Sequence, residues 1–482
     1  MGKPREIGRR GLLRGAVAAG AVGLVGPAGI GPAGALAQTG ATRPLPGRGH
    51  FVIRNAYVMT MDAGLGDVAD GDVHVRDGAV VAVGQKLAAP GATVLDGRGM
   101  IVLPGFVETH WHMWNTLLRS MAGDNPDHGY FRTTALIGRA YQAEDMYHGT
   151  LLAAAEALNN GMTHVHSWCH NIRGPDYARA DLRALQEAGL RARFSYGAPQ
   201  GLAGKDLPDL ADMERLHGEW DRHSNGGLIT LGFAWRGQGG NSAPVPEEVW
   251  KKEYETGRKL GIPISVHASG SRPTVGQIAA LAKAGCLSKD MQAIHANFAT
   301  AEEIQALAAS GASVSSSPFT ELRIGFGLQQ TGKFLAARVP VGLSVDTVEL
   351  SGNADMFAIM KAIQNVENGE TEKEFTLPAR RVLELATIEG ARSMGIDDRT
   401  GSLKPGKRAD LIMVSTRDVN IGVFSDPAHM LVEAAEPSNV DTVVVDGRIL
   451  KRHGRLTALD VRRVVSGAAA ARAALLKRAN WS

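Results

Sequence analysis

The sequence predicts an α/β protein, a (β/α)8 TIM barrel carrying a small β-sandwich domain built from both chain ends. Three observations carry this expectation. Strand-like and helix-like patterns alternate through the middle of the 482 residues. β-rich runs with turn signals recur near both ends, FVIRNAYVMT to ATVLDG on one side, ADLIMVS and VDTVVVDGRIL on the other. His110, His112, His267, His295 and Asp346 each close a short apolar run, and the C-terminal ends of barrel strands are where such folds place their chemistry.

Taken in order, residues 1–37 read as a twin-arginine export signal. Arg9 and Arg10 precede an Ala/Gly-rich apolar stretch from Leu12 to Ile30, and Ala35-Leu36-Ala37 has the small-x-small form of a cleavage site. Its glycines and prolines weigh against a permanent membrane helix, and no other stretch is long enough to span. The expectation is an exported protein, periplasmic or extracellular, with no stable membrane span once the signal is removed. That removal takes five of 52 Lys/Arg and one of 49 Asp/Glu, leaving 47 against 48, a net charge near −1. No basic surface remains to suggest nucleic acid as a partner. Cys169 and Cys286 are the only cysteines, so no disulfide framework is expected.

Residues 50–103 form the first part of the sandwich. Residues 104–398 carry the barrel strands IVLPGFVE, MTHVHSW, RARFSYG, LITLGFAW, PISVHA, QAIHA, ASVSSSP and VGLSVD. Helical patterns lie between most of them; AEDMYHGTLLAAAEALNNG is one, and TAEEIQALAASG carries a Thr cap and a terminal Gly. Residues 399–460 return to the sandwich. Residues 461–482 read as an Ala-rich surface helix whose arginines are solvated.

The ligand chemistry follows from residue type and place. Alternation along a strand puts His110 and His112 on one face, so both imidazoles can enter one cavity. Neutral imidazole and carboxylate are donors that divalent zinc or iron accepts, and a catalytic ion keeps one position open for water.

The chain resembles the amidohydrolase superfamily, in the branch of the S-adenosylhomocysteine and guanine deaminases and the triazine hydrolases. The resemblance runs from about Phe51 to Thr457 and rests on LPGFVETHWH, NTLLRSMAGD, SSSPFTELRIGFG, GLSVDT and ATIEGARSMGIDDRTGSLKPGKRADLIMV. It implies a small-molecule substrate and one divalent metal, zinc ahead of iron, held by His110, His112, His267 and Asp346. No lysine ends LITLGFAW, where binuclear relatives keep a bridging one, so a single ion is expected. The resemblance makes His295 a substrate-facing group near the metal. Chemically, Asp346 can take a proton from the attacking water and return it to a leaving amine, while His295 stabilises developing charge. Relatives are often dimers or larger, so a homo-oligomer is compatible with this reading.

The departures concern the proton donor. Deaminases of this branch place a glutamate three residues after the fifth-strand histidine; here Gly270 stands there and cannot transfer a proton. Glu321 is the first candidate to replace it and His166 the second. His164, His166 and His170 lie where relatives end the second strand with an aspartate, and at least one is expected in the pocket. Trp111, Trp114, Trp168 and Trp235 are candidates to sandwich a planar ligand, and Arg236 to bind a substrate carboxylate. The leading expectation is metal-dependent hydrolysis of a C–N bond, amide, lactam or amidine-like, in a small cyclic molecule. A lyase, isomerase or cyclase on the same scaffold is the alternative, and an exported metal-dependent binding protein is the non-enzymatic one.

Overall fold

A computed structural model describes residues 43–239 and 244–481; the expected export signal lies outside them. Eight parallel strands form the central sheet: β1 (Phe106–Val107), β2 (Met162–Cys169), β3 (Arg191–Gly197), β4 (Ile229–Trp235), β5 (Ile264–Ala268), β6 (Met291–His295), β7 (Ser313–Ser316) and β8 (Val341–Leu343). Each pairs with its neighbours in chain order. Backbone hydrogen bonds bring the first and last strands together: Thr109 N donates to Leu343 O at 3.1 Å and Asp346 N to His110 O at 2.9 Å. This is a (β/α)8 barrel.

Only β1, β4 and β8 read as near-continuous apolar runs; β2, β3, β5, β6 and β7 interleave polar residues that are nonetheless almost all buried. Every residue of β2 is buried, its histidines included. The first strand is shorter than its apolar run. Met100–Pro104, upstream in the same run, pairs instead with Leu411–Ser415. That pairing joins the chain ends. Phe51–Met59, Asp67–Arg76 and Ala79–Gly84 extend one side, and Val440–Val445, Arg448–Arg452 and Arg455–Leu456 the other. The result is one mixed nine-stranded sheet, with Thr93–Asp96 branching from Phe51–Met59. Its own apolar core includes Ile53, Val73, Leu95, Leu411 and Val444.

Helix Ala143–Asn159 packs beside β2 and against the 3-10 turn Met113–Leu118. Gly149 permits this approach, since a Cβ there would lie 2.2 Å from Trp114 O. Helix Ala301–Ser310 starts with the Thr300–Glu303 capping box and stops at Gly311 in the left-handed region, φ 73°. The terminal helix Val461–Arg478 corrects the expectation of solvated arginines at one position. Arg478 donates to Ala140 O and pairs with Asp145, fastening the helix while Val464, Ala468 and Leu475 are buried. Both cysteines are buried free thiols. Among the described residues, no helix is long and apolar enough to cross a membrane.

Candidate metal centre and active site

The strand ends converge as their residue types suggest. One potential ligand atom from each of His110, His112, His267 and Asp346 lies within 4.8 Å of the others. His110 Nε2 and His112 Nε2 sit 3.2 and 3.3 Å from Asp346 Oδ1. Donors around a tetrahedral ion with Zn–N bonds of about 2.0–2.1 Å are separated by about 3.3 Å, so this donor set fits a small divalent cation. Asp346 is fixed at both backbone atoms, its N donating to His110 O and its O accepting from His112 N at 2.7 Å. Its φ of 59° and that of His295, 72°, are left-handed conformations that L residues adopt at a cost, retained here at two adjacent functional positions.

Protonation states suit cation binding. Burial pushes the His110 imidazole down to about 3 and lowers His267 as well, leaving both neutral. Burial also opposes ionisation of Asp346, but the imidazoles of His110 and His112 beside its Oδ1 outweigh it and hold the carboxyl well below the usual carboxylate range. The His112 Nδ1 faces Trp168 O at 3.3 Å, so that nitrogen carries the proton and Nε2 is left for a cation. Beneath the ligands, buried Glu108 accepts from the backbone N–H groups of His110, His166 and Val345, tying β1, β2 and β8 together. Burial pushes its carboxyl up to about 8 against those three hydrogen bonds.

A cavity of about 580 Å³ opens over the cluster, a size suited to a small molecule. His112, His267, His295 and Asp346 line it, as do Trp168, His170 and Gly270. A Cβ on Gly270 would meet His295 Cβ at 3.0 Å, so a side chain there would press against His295.

Several candidates are placed differently from expectation. Glu321 is fully buried and does not line the cavity; it accepts from His295 Nδ1 at 2.9 Å, from Ser317 N and from Gln329 Nε2. It stands behind His295, where it cannot reach substrate as a replacement acid. His166 is likewise removed from the wall, donating to Thr109 O and meeting Ser195 Oγ at 2.8 Å in the layer below. His170 alone of the second-strand group lines the cavity. Trp114 reaches it only through His170, to which its indole donates at 3.2 Å. Trp111 and Trp235 are core residues, and Trp168 is the one tryptophan in the wall. Arg236 does line the cavity, but its charge is paired with buried Glu253 and its N–H groups go to Ala203 O and Asp206 O.

The chain matches the amidohydrolase family model over residues 101–450. It is 31% identical over 444 residues to a 5'-deoxyadenosine deaminase of Methanosarcina mazei, covering 89% of this chain and 99% of that one. A 5-methylthioadenosine/S-adenosylhomocysteine deaminase of Pelotomaculum thermopropionicum is 28% identical, with 87% and 97% covered. Among solved structures, an adenosine deaminase from Xanthomonas campestris with bound zinc shares the fold at TM-score 0.78 and 22% identity, over 90% of this chain and all of that one. Atrazine chlorohydrolase from Arthrobacter aurescens, complexed with zinc, does so at 0.76 and 20%, with 88% and 100% covered. The chain belongs to the amidohydrolase family. It is a hydrolase acting on C–N bonds of small molecules, with a site for a divalent metal.

Sequence reasoning passed over Tyr130, Arg139, Gln200 and Gln277, which complete the cavity from loops and short helices. None has a local pattern to announce it. Glu108 did have a signal, since it precedes His110 by two in the same alternating run.

Proposed function

We propose that the protein uses one zinc ion to hydrolyse a C–N bond in a small cyclic molecule whose ring nitrogen needs no carboxylic acid to protonate it, such as a cyclic amide, lactam or amidine. The wall at Gly270 carries this reading. Among the described residues, Asp346 is the sole carboxylate lining the cavity, and glycine stands where the resembling deaminases keep their acid. Zinc is supported by the three-imidazole, one-carboxylate donor set and by the zinc bound in the Xanthomonas structure.

A divalent ion in this site supplies a Lewis acid that makes water nucleophilic near neutral pH. The chain's own groups do the rest. Asp346, held ionised at the cavity floor, accepts the water proton and hands it to the leaving nitrogen. His295 gives its Nδ1 proton to the hydrogen bond with Glu321, which presents Nε2 to the cavity. Burial lowers the basicity of His295, but the Glu321 hydrogen bond and the Asp346 charge prevail and raise its pKa, favouring an N–H donor toward developing negative charge. Trp168 lines the cavity and supplies an apolar contact for a ring.

A second reading, deamination of an aminated heterocycle, is favoured by the 5'-deoxyadenosine deaminase relatives. Ammonia assays with 5'-deoxyadenosine, guanine, cytosine and melamine analogues separate it from ring opening of lactams and cyclic amides followed by chromatography. We expect ring opening with oxygen from labelled water in the product. Efficient ammonia release from the aminated set would replace the first reading by the second, and a product without water-derived oxygen would overturn both.

Export is proposed on the sequence of residues 1–37 alone, with Arg9 and Arg10 as the recognition pair.

A further inference from the structure

Beside the metal cluster, one stretch of the cavity wall carries two hydrogen-bonding side chains, Arg139 and Gln200. Trp114 Nε1 donates to His170 Nδ1 at 3.2 Å. An indole N–H can only donate, so this His170 nitrogen carries no proton, and the proton of the ring resides on Nε2. The carboxamide of Gln200 meets that Nε2 at 2.6 Å. Only its carbonyl oxygen can accept there, which turns the NH2 group away from His170. Gln200 lines the cavity, and that NH2 group has no other partner among the described residues.

Arg139 lies beside it. A Cβ on Gly201 would sit 3.0 Å from Arg139 Nε, and a Cβ on Gly138 would sit 3.1 Å from Gln200 Cγ. The pairs 138–139 and 200–201 therefore pack reciprocally, each glycine forming the floor under the other pair's side chain. Arg139 is solvent-exposed where it lines the cavity, and among the described residues it has no hydrogen-bond or carboxylate partner, whereas the charge of Arg236 is already matched by Glu253. The His170 ring stands 4.4 Å from that of His112, so this donor pair occupies the same cavity as the metal cluster, one ring removed from it.

We infer that Arg139 and Gln200 form a carboxylate-binding subsite, so that the substrate carries a carboxylate beside the ring that is hydrolysed. A guanidinium fork and an amide N–H together match the planar, bidentate geometry of that group. The inference rests on the hydrolase reading for what happens at the metal end.

Titration calorimetry of the metal-loaded full chain with two matched pairs tests it. Hydantoin-5-propionate against 5-propylhydantoin represents cyclic amides, and adenosine-5'-carboxylate against 5'-deoxyadenosine represents aminated heterocycles. The carboxylated member of at least one pair should bind about 10- to 100-fold more tightly, the range expected for hydrogen bonds to a charged group. Arg139→Gln and Gln200→Glu should each abolish that preference, with the neutral member's affinity and the metal content unchanged; Arg139→Lys should keep part of it. Equal binding within both pairs, no detectable binding of either carboxylated probe, or a preference that survives Arg139→Gln would overturn the subsite. Turnover is scored separately. A carboxylate preference without hydrolysis of any probe upholds the subsite and counts against the proposed substrate classes, while hydrolysis without preference does the reverse.

Discussion

His295 shows how one side chain acquires a role from the group behind it. Its Nδ1 is anchored by Glu321, itself held by Ser317 N and Gln329, so the imidazole has one orientation and one free nitrogen. Glu321→Gln keeps the shape and removes the charge. Outer partners of this kind are worth roughly 10- to 100-fold; kcat should fall by about that factor while KM and metal content stay near wild type. Steady-state kinetics beside metal analysis checks this, and an unchanged kcat would remove Glu321 from the account. The ligands themselves were legible in the chain because period-two spacing and strand-end position are local properties. The fate of Glu321, His166 and Arg236 was not. Each is decided by partners from other elements: His295 for Glu321, Ser195 for His166, and Glu253, on the helix Glu247–Leu260, for Arg236.

The short helix Val348–Ser351, shortly after β8, carries another buried carboxyl, Glu349. Thr134 has one hydroxyl proton yet lies 2.8 Å from both Tyr130 O and Glu349 Oε2. A protonated Glu349 donating to Thr134, with Thr134 donating to Tyr130 O, satisfies both contacts. Burial accordingly pushes the Glu349 carboxyl up from its ordinary 4.5 to about 8. A folded-state pKa above the unfolded value means that folding takes up a proton between those pH values, so this stability is full below about 4.5 and lost as pH rises through about 8. Glu349→Gln should flatten that slope; urea midpoints for both proteins across the window measure it, and parallel curves would refute the protonated state. The barrel strands were readable because each is a short run rich in β-branched, aromatic or apolar residues bounded by helical patterns, even where polar residues alternate within it, as in RARFSYG and ISVHA. The split of IVLPGFVE between two sheets was not, since both destinations require the same residues.

At the scale of the whole molecule, both chain ends meet in one sheet, so that sheet is complete only once residues on either side of the barrel have been brought together. A twin-arginine route, which carries folded proteins, suits a metal enzyme that loads its ion before export. Replacing Arg9 and Arg10 by lysine should leave the protein in the cytoplasm, and unchanged export of that double variant would discard the signal assignment. The central claim is a single divalent ion held by His110, His112, His267 and Asp346, and metal quantification on purified protein tests it most directly. About one equivalent per chain is expected, with most of it lost in His110→Ala and in His267→Ala. Two equivalents per chain, or full occupancy surviving either substitution, would contradict it.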